Sequence, residues 1–319
     1  MTSATTPRRS TVCVLGSANM DLVVTVDRAP KRGETVTGHQ FVQIPGGKGA
    51  NQALAAARAG GVVRMIGAVG HDAHGQQIRA VLEADGVDTT GVLVVDSPTG
   101  TAHIVVDADG ENSIVFVPGA NGSMRTLTDD HRAVIESSDV LLLQLELPFD
   151  IVDAAAQWAA AHGTRVVLTP APVAPLSDDL LAAVDLLVPN EHEAALLTGR
   201  DTARAAAETL LGRGVGAVAV TLGRRGCLYA DGTDVIPMPA MDVPAIDTTA
   251  AGDTFVAALT IALTEGRAVR ESLGWATAAA AICVQRPGAS TSMPYRHEID
   301  ALAADPASAG GMRTQLDCQ

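Results

Sequence analysis

One stretch of this chain has the residue types that proton abstraction beside a bound anion requires: Asp247-Thr248-Thr249-Ala250-Ala251-Gly252-Asp253-Thr254-Phe255. Phe255, Val256, Leu259 and Leu263 recur at helical spacing, which predicts a helix starting near Ala251. The unpaired N–H groups of a helix start form an anion site. Side chains as small as Ala250, Ala251 and Gly252 let a charged oxygen approach that backbone. Asp253 falls in the first turn, where the helix dipole tolerates a carboxylate. The combination suits a general base that takes a hydroxyl proton while the amides hold a phosphoryl group. The plainer alternative is a first-turn aspartate among small residues that allow close packing, and the stretch alone leaves both open.

Other polar residues fall where ligands gather in α/β proteins, at the carboxyl ends of strands. Asn19 and Asp21 follow an apolar run over residues 12–16. An amide and a carboxylate two residues apart can donate to and accept from vicinal sugar hydroxyls, or merely cap a turn. Gly46 and Gly47 precede Lys48, Ala50, Asn51 and a helix, so a ligand could touch bare backbone there. This is no Walker A loop, since Gly49 stands where Ser or Thr would follow the lysine. Glu146 directly follows the strand at 140–145. Asn190 and Glu193 sit one helical turn apart and could face one ligand or close a capping box. Thr221, Gly223, Arg224, Arg225 and Gly226 combine glycine backbone with cations suited to phosphate. Residues 286–292 form a carbonyl-rich loop of the kind hard monovalent cations prefer. His71 and His74 have ligand spacing but no third ligand nearby, so no metal is assigned to them.

These residues need a scaffold. Strands are expected at 12–16, 22–26, 41–44, 62–69, 92–95, 101–106, 112–117, 140–145, 165–168, 186–188, 215–222, 227–230 and 235–237. Helices are expected at 52–59, 73–84, 128–136, 151–162, 180–183, 190–197 and 268–284, besides the one after Ala251. From residue 127 onward the alternation of helix and strand predicts an α/β fold with a doubly wound, mostly parallel sheet flanked by helices. The strands in 22–44 and 92–117 are expected to form a separate small β-sheet, a lid over the sugar end. Residues 1–10 and 304–319 are expected to be disordered tails around a single domain at 11–303.

The 319 residues are 47% apolar, carry a net charge of -14 and hold 3% aromatics. That balance disfavours nucleic acid and anionic membranes as partners. No apolar run is long enough for a spanning helix, and residues 1–10 lack a signal-type apolar region. Cys13, Cys227, Cys283 and Cys318 show no metal or disulfide spacing, which suits a reducing cytoplasm.

Four signatures occur in order: Gly-Ser-Ala-Asn-Met-Asp from Gly16, Gly-Gly-Lys-Gly-Ala-Asn-Gln from Gly46, Pro-Asn-Glu-His-Glu from Pro189, and the stretch from Asp247 to Phe255. Over residues 12–300 the chain resembles the ribokinase family of sugar kinases. The resemblance implies ATP-dependent phosphorylation of the 5-hydroxyl of D-ribose, with Asp253 as base and the amides of Ala250, Ala251, Gly252 and Asp253 as the anion hole. It implies that Asn19, Asp21, Gly46, Gly47, Lys48, Asn51 and Glu146 hold the sugar. Asn190, Glu193, Thr221, Gly223, Arg224, Gly226, Gly252 and Thr277 would serve ATP and its Mg2+. A K+ ion would be held by Asp247, by the carbonyls of Thr249, Cys283, Arg286 and Gly288, and by Ser292. A homodimer joined through the lid strands is also implied.

Two positions depart from the family pattern. Thr277 stands where asparagine lies beside the adenine, which leaves base selectivity open, and Thr249 replaces an aliphatic residue. A kinase of the same fold for deoxyribose, fructose or a nucleoside stays open, as does a non-catalytic sugar-binding protein. The latter would be expected to lose Asp253 or the anion hole. The scarcity of aromatics near the lid disfavours a nucleobase, although Phe41 and Phe116 could supply a stacking partner. A hydride-transfer enzyme would need a glycine fingerprint after the first strand, which Gly16-Ser17-Ala18-Asn19 does not supply.

Overall fold

The computed structural model describes residues 9–304. The expected tails therefore lie outside the described residues, apart from Arg9, Ser10 and Ala304. Thirteen strands are found: β1 (Thr11–Leu15), β2 (Asn19–Val26), β3 (Gly38–Gly46), β4 (Val62–Gly70), β5 (Asp88–Val95), β6 (Gly100–Val106), β7 (Asn112–Val117), β8 (Val140–Leu143), β9 (Arg165–Leu168), β10 (Leu186–Leu187), β11 (Ala217–Thr221), β12 (Cys227–Ala230) and β13 (Val235–Met238). The α-helices are α1 (Lys48–Arg58), α2 (Ala73–Ala84), α3 (Asp129–Glu136), α4 (Phe149–Ala161), α5 (Asp178–Ala182), α6 (Glu191–Thr198), α7 (Ala203–Gly212), α8 (Ala251–Thr264), α9 (Val269–Cys283) and α10 (Arg296–Ala303).

A nine-stranded sheet runs in the order β13-β12-β11-β10-β9-β8-β1-β4-β5. It is parallel from β11 to β5, and β12 and β13 add an antiparallel edge. The chain leaves β1 for β4 and β5 on one side, then returns to β8 and winds outward on the other. That reversal places a crevice at the carboxyl ends of β1 and β8.

Alternation along the strands explains the two helical layers. Val12, Val14, Val140 and Leu142 face one apolar cluster with α1, α8 and α9. Cys13, Leu15, Leu141 and Leu143 face the other, with α3, α4, α5 and α7. A strand covered on both faces must be apolar throughout, and β8 reads Val-Leu-Leu-Leu. Truncating a fully buried Leu142 would cost about 2–5 kcal/mol.

The second sheet has four strands in the order β3-β2-β6-β7. The expected membership of this lid needs one correction: residues 92–95 belong to β5 and pair with β4 in the large sheet. The reason is the crossover through α2, since a strand, helix and strand in succession return to a parallel neighbour. Helices α7 and α10 also fall outside the expected set.

Candidate active site

Helix α8 starts at Ala251, as its apolar spacing predicts, and has no side-chain cap. Its N-cap residue Ala250 is left-handed at φ 59°, alone among the described non-glycine residues in having a positive φ. That conformation costs an L-residue about 1–2 kcal/mol. The Ala251 amide donates to the Thr248 carbonyl at 3.2 Å and closes the turn. A Cβ placed on Gly252 would meet nothing within 4 Å, so the backbone there stays open to a ligand.

Asp253 is only 8% exposed. Its Oδ2 accepts from Asn51 Nδ2 at 3.2 Å, and its Oδ1 accepts from Gln52 Nε2 at 3.0 Å. Burial pushes its carboxyl pKa up. Lys48 and the two amide donors oppose the rise, and Glu146 adds to it. A carboxylate made more proton-avid in this way is suited to accept a hydroxyl proton.

The residues expected to hold a sugar converge near Asp253. Register pairs Asn19 with Gly46, and a Cβ on Gly46 would lie 2.3 Å from Asp21 Oδ2. Gly47 caps α1 with φ 90°, a conformation that favours glycine. Glu146 Oε2 accepts from the Lys48 amide at 3.0 Å, from Asn19 Nδ2 at 3.5 Å and from the Ser17 hydroxyl. Burial, with Glu146 and Asp253 nearby and Lys48 opposing, pushes Asp21 up to about 7. Burial works to depress the Lys48 ammonium, but Asp253, Glu146, Glu193 and Asp21 outweigh it and its pKa rises.

Of the residues expected to serve a nucleotide, Asn190 and Glu193 form a reciprocal capping box on α6, with both bonds at 2.8 Å. The capping alternative is thus realised, and it sets both side chains at the carboxyl end of β10. Burial raises the Glu193 pKa, opposed by its bond to the Asn190 amide and by the Lys48 charge. Asn190 bridges to Thr221 in parallel. After Thr221 the chain turns through Gly223 (φ 55°) and Gly226 (φ 96°). Arg224 is exposed on that turn, while Arg225 pairs with Glu191. Thr277 is buried in α9, and its hydroxyl has no hydrogen-bond partner among the described residues.

The loop residues proposed for K+ are also brought together. Asp247 accepts from the Thr249 amide at 2.9 Å and from the Gly288 amide at 2.8 Å. Burial works to raise its pKa, but those bonds prevail and the carboxylate is held low. The Cys283 thiol contacts the Ser292 hydroxyl at 3.1 Å and the Thr249 carbonyl at 3.7 Å. The Arg286 side chain instead pairs with Glu298. Carboxylate, hydroxyl and carbonyl oxygens are a donor set that fits a hard monovalent cation.

Sequence reasoning missed three buried polar residues here. Asn121 donates to Asn19 Oδ1 at 2.7 Å and accepts from the Ala18 amide at 3.0 Å, which orients Asn19. Gln52 holds Asp253, and Gln144 Nε2 donates to Gln52 Oε1 at 2.6 Å. The available signal was polarity inside apolar runs, with Gln144 immediately after the four residues of β8.

A buried carboxylate at a helix start, a polar crevice at the strand ends and a small second sheet define a carbohydrate kinase. A family model described as pfkB family carbohydrate kinase matches residues 9–296, and the chain belongs to that family. It is 42% identical to ribokinase of Bacillus subtilis over 91% of this chain and 98% of that one. It is 41% identical to ribokinase of Schizosaccharomyces pombe over 91% and 96%. The structure of Arabidopsis thaliana ribokinase complexed with ribose and ATP superposes with a TM-score of 0.88 at 36% identity, covering 93% of this chain and all of that one.

Proposed function

We propose that this protein transfers the γ-phosphoryl group of ATP to the 5-hydroxyl of D-ribose, with Asp253 as the general base. The observation that carries the proposal is the buried Asp253 carboxylate, held by Asn51 and Gln52 at the start of α8 beside the open backbone of Gly252. The hydroxyl oxygen attacks phosphorus, its proton passes to Asp253, and the bond to the ADP oxygen breaks. Placement and charge stabilisation supply most of the rate in such transfers, and the base about 10²–10⁴-fold. Asn19, Asp21, Lys48, Asn51 and Glu146 hold the sugar, while the bare backbone of Gly46 and Gly47 lets it approach.

ATP lies along Asn190, Glu193, Thr221, Gly223, Arg224, Gly226 and Thr277. Glu193 would hold Mg2+, which would supply positive charge to offset that of the phosphates. Asp247, Thr249, Cys283, Arg286, Gly288 and Ser292 would hold K+ through their oxygens. The loop between Asp247 and the amides of Gly252 and Asp253 is short, so a cation there would steady the anion hole. A dimer forms through the lid sheet. A cytoplasmic location is favoured by the free, buried thiols of Cys13, Cys227 and Cys283. Among the described residues no helix is long and apolar enough to cross a membrane.

The test is ADP release measured over a panel of pentoses, hexoses and nucleosides, in potassium and in sodium salts. Ribose should give the highest kcat/KM, with faster turnover in potassium. A higher value for a nucleoside or a hexose overturns the ribose assignment, and equal rates in the two salts overturn the ion site.

A further inference from the structure

Two glutamines buried behind Asp253 form a chain that phosphoryl transfer does not itself require. Gln52 is fully buried and Gln144 is 1% exposed. Gln52 Nε2 donates to Asp253 Oδ1 at 3.0 Å and to Thr169 Oγ1 at 3.2 Å, so both amide protons are committed. Its Oε1 accepts from Gln144 Nε2 at 2.6 Å. A primary amide can be turned over with little change in shape, exchanging donor and acceptor. In the turned orientation the Gln52 oxygen would face the Asp253 carboxylate and its NH2 would face the NH2 of Gln144. That orientation is unfavourable at one end through Asp253 and at the other through Gln144.

Gln144 accepts a penalty for its place. Its Oε1 is buried and has no hydrogen-bond partner among the described residues. It lies where a side chain on residue 16 would stand, 2.1 Å from a Cβ built on Gly16. A buried orphan carbonyl destabilises a fold, so packing alone would favour an apolar side chain here.

We infer that Gln144 is a positioning residue that fixes the Gln52 amide with its NH2 toward Asp253, keeping the catalytic carboxylate oriented and ionised. The inference rests on the assignment of Asp253 as base. It acts at two removes from the substrate, through one amide, and predicts control of the protonation of the base rather than of sugar affinity.

The test uses Gln144→Met and Gln144→Glu, read by the pH dependence of kcat and by KM for ribose. Methionine matches the length of glutamine and removes both the donor and the orphan acceptor. Because it also removes the donor to Gln52 Oε1, one orphan is exchanged for another, and its melting temperature should stay within a few degrees of that of the unaltered protein. Because Gln52 is then free to turn, the carboxylate loses a donor and binds its proton more tightly. The acid limb should move to higher pH by roughly half a unit or more, with KM nearly unchanged. Glutamate keeps the volume; once ionised it cannot donate to Gln52, so turnover should also fall on the alkaline side. Profiles superimposable on that of the unaltered protein in either folded variant overturn the inference. Asp253→Asn separates the two levels: if it retains more than about a tenth of the turnover, the base assignment fails. If it is inactive while the Gln144 profiles are unmoved, only the positioning role fails.

Discussion

Asp21, Glu146, Glu193 and Asp253 set four carboxylates within electrostatic reach of the Lys48 ammonium. The crowding has a consequence for stability that can be measured without substrate. Burial and its acidic neighbours raise Asp21 from 3.8 to about 7. A folded-state pKa above the unfolded one means that the folded protein binds the extra proton between those two values. The stability so contributed is complete below about pH 3.8 and is lost as pH rises through about 7. Asp21→Asn removes this titration. On going from about pH 5 to about pH 8 without sugar, the unaltered protein should lose about 4 °C more of its melting temperature than the variant. Parallel melting curves would show that Asp21 is ionised throughout and that the crowding is relieved by other means. The same substitution should weaken ribose binding, because Asp21 lies against the bare backbone of Gly46. At this scale the sequence exposed the charged and glycine positions, whose types announce chemistry. It hid Asn121, Gln52 and Gln144, whose importance comes from what they touch across 92 to 201 positions of sequence.

The start of α8 depends on a corner that the residue types did not advertise. Ala250 is left-handed where glycine would be expected, at the point where the Asp247 loop turns into the helix. Gly at this position relieves steric cost but adds unfolded-state freedom, two effects of similar size. Ala250→Gly should therefore melt within a few degrees of the unaltered protein and keep its turnover. Ala250→Val places a β-branched side chain in a region it rarely adopts, so it should destabilise by about 1–3 kcal/mol. Moving the amides at Gly252 and Asp253 should lower kcat by about 10²-fold, as losing an oxyanion donor does. Urea melts and initial rates check both, and an unchanged kcat in the valine variant would show that this corner does not shape the anion hole. Helix positions were otherwise legible from apolar spacing: residues 73–84 coincide with α2. Residues 92–95 were misassigned because strand partnership is set by long-range pairing, which local alternation does not encode. β5 carries the same mixed pattern of exposure as the lid strands while sitting at the rim of the large sheet. Helix α7 was missed because alanine dominates it, as Ala-Arg-Ala-Ala-Ala-Glu, and blurs its apolar stripe.

At the scale of the molecule, the large sheet is closed by helices on both faces and the small one is not. Ile114 and Val115 are successive residues of β7, so they point to opposite faces, yet they are 55% and 66% exposed. By register Ile114 stands beside Ile104 and Val115 beside His103, while Phe41 pairs with Val24 on the far side of the sheet. Phe41 and Val117 are exposed as well. A four-stranded sheet with apolar residues bare on both faces and two open edges at β3 and β7 is a surface that proteins cover. A second copy meets that need by symmetry, since the same patch serves both partners of a two-fold contact. It would also brace the strands that carry Asn19 and Asp21, which both begin β2. The expected result is sedimentation at twice the mass of one chain. Val115→Glu and Ile114→Glu each place a charge on one face, and at least one of them should yield monomers with a raised KM for ribose and an unchanged fold by circular dichroism. If the unaltered protein sediments as a monomer at micromolar concentration, or if both variants remain dimeric, the lid is not the interface. An unchanged KM in a monomeric variant would separate dimerisation from sugar binding, and it would assign the bracing of β2 to Asn121 and the packing of Leu22 against the core.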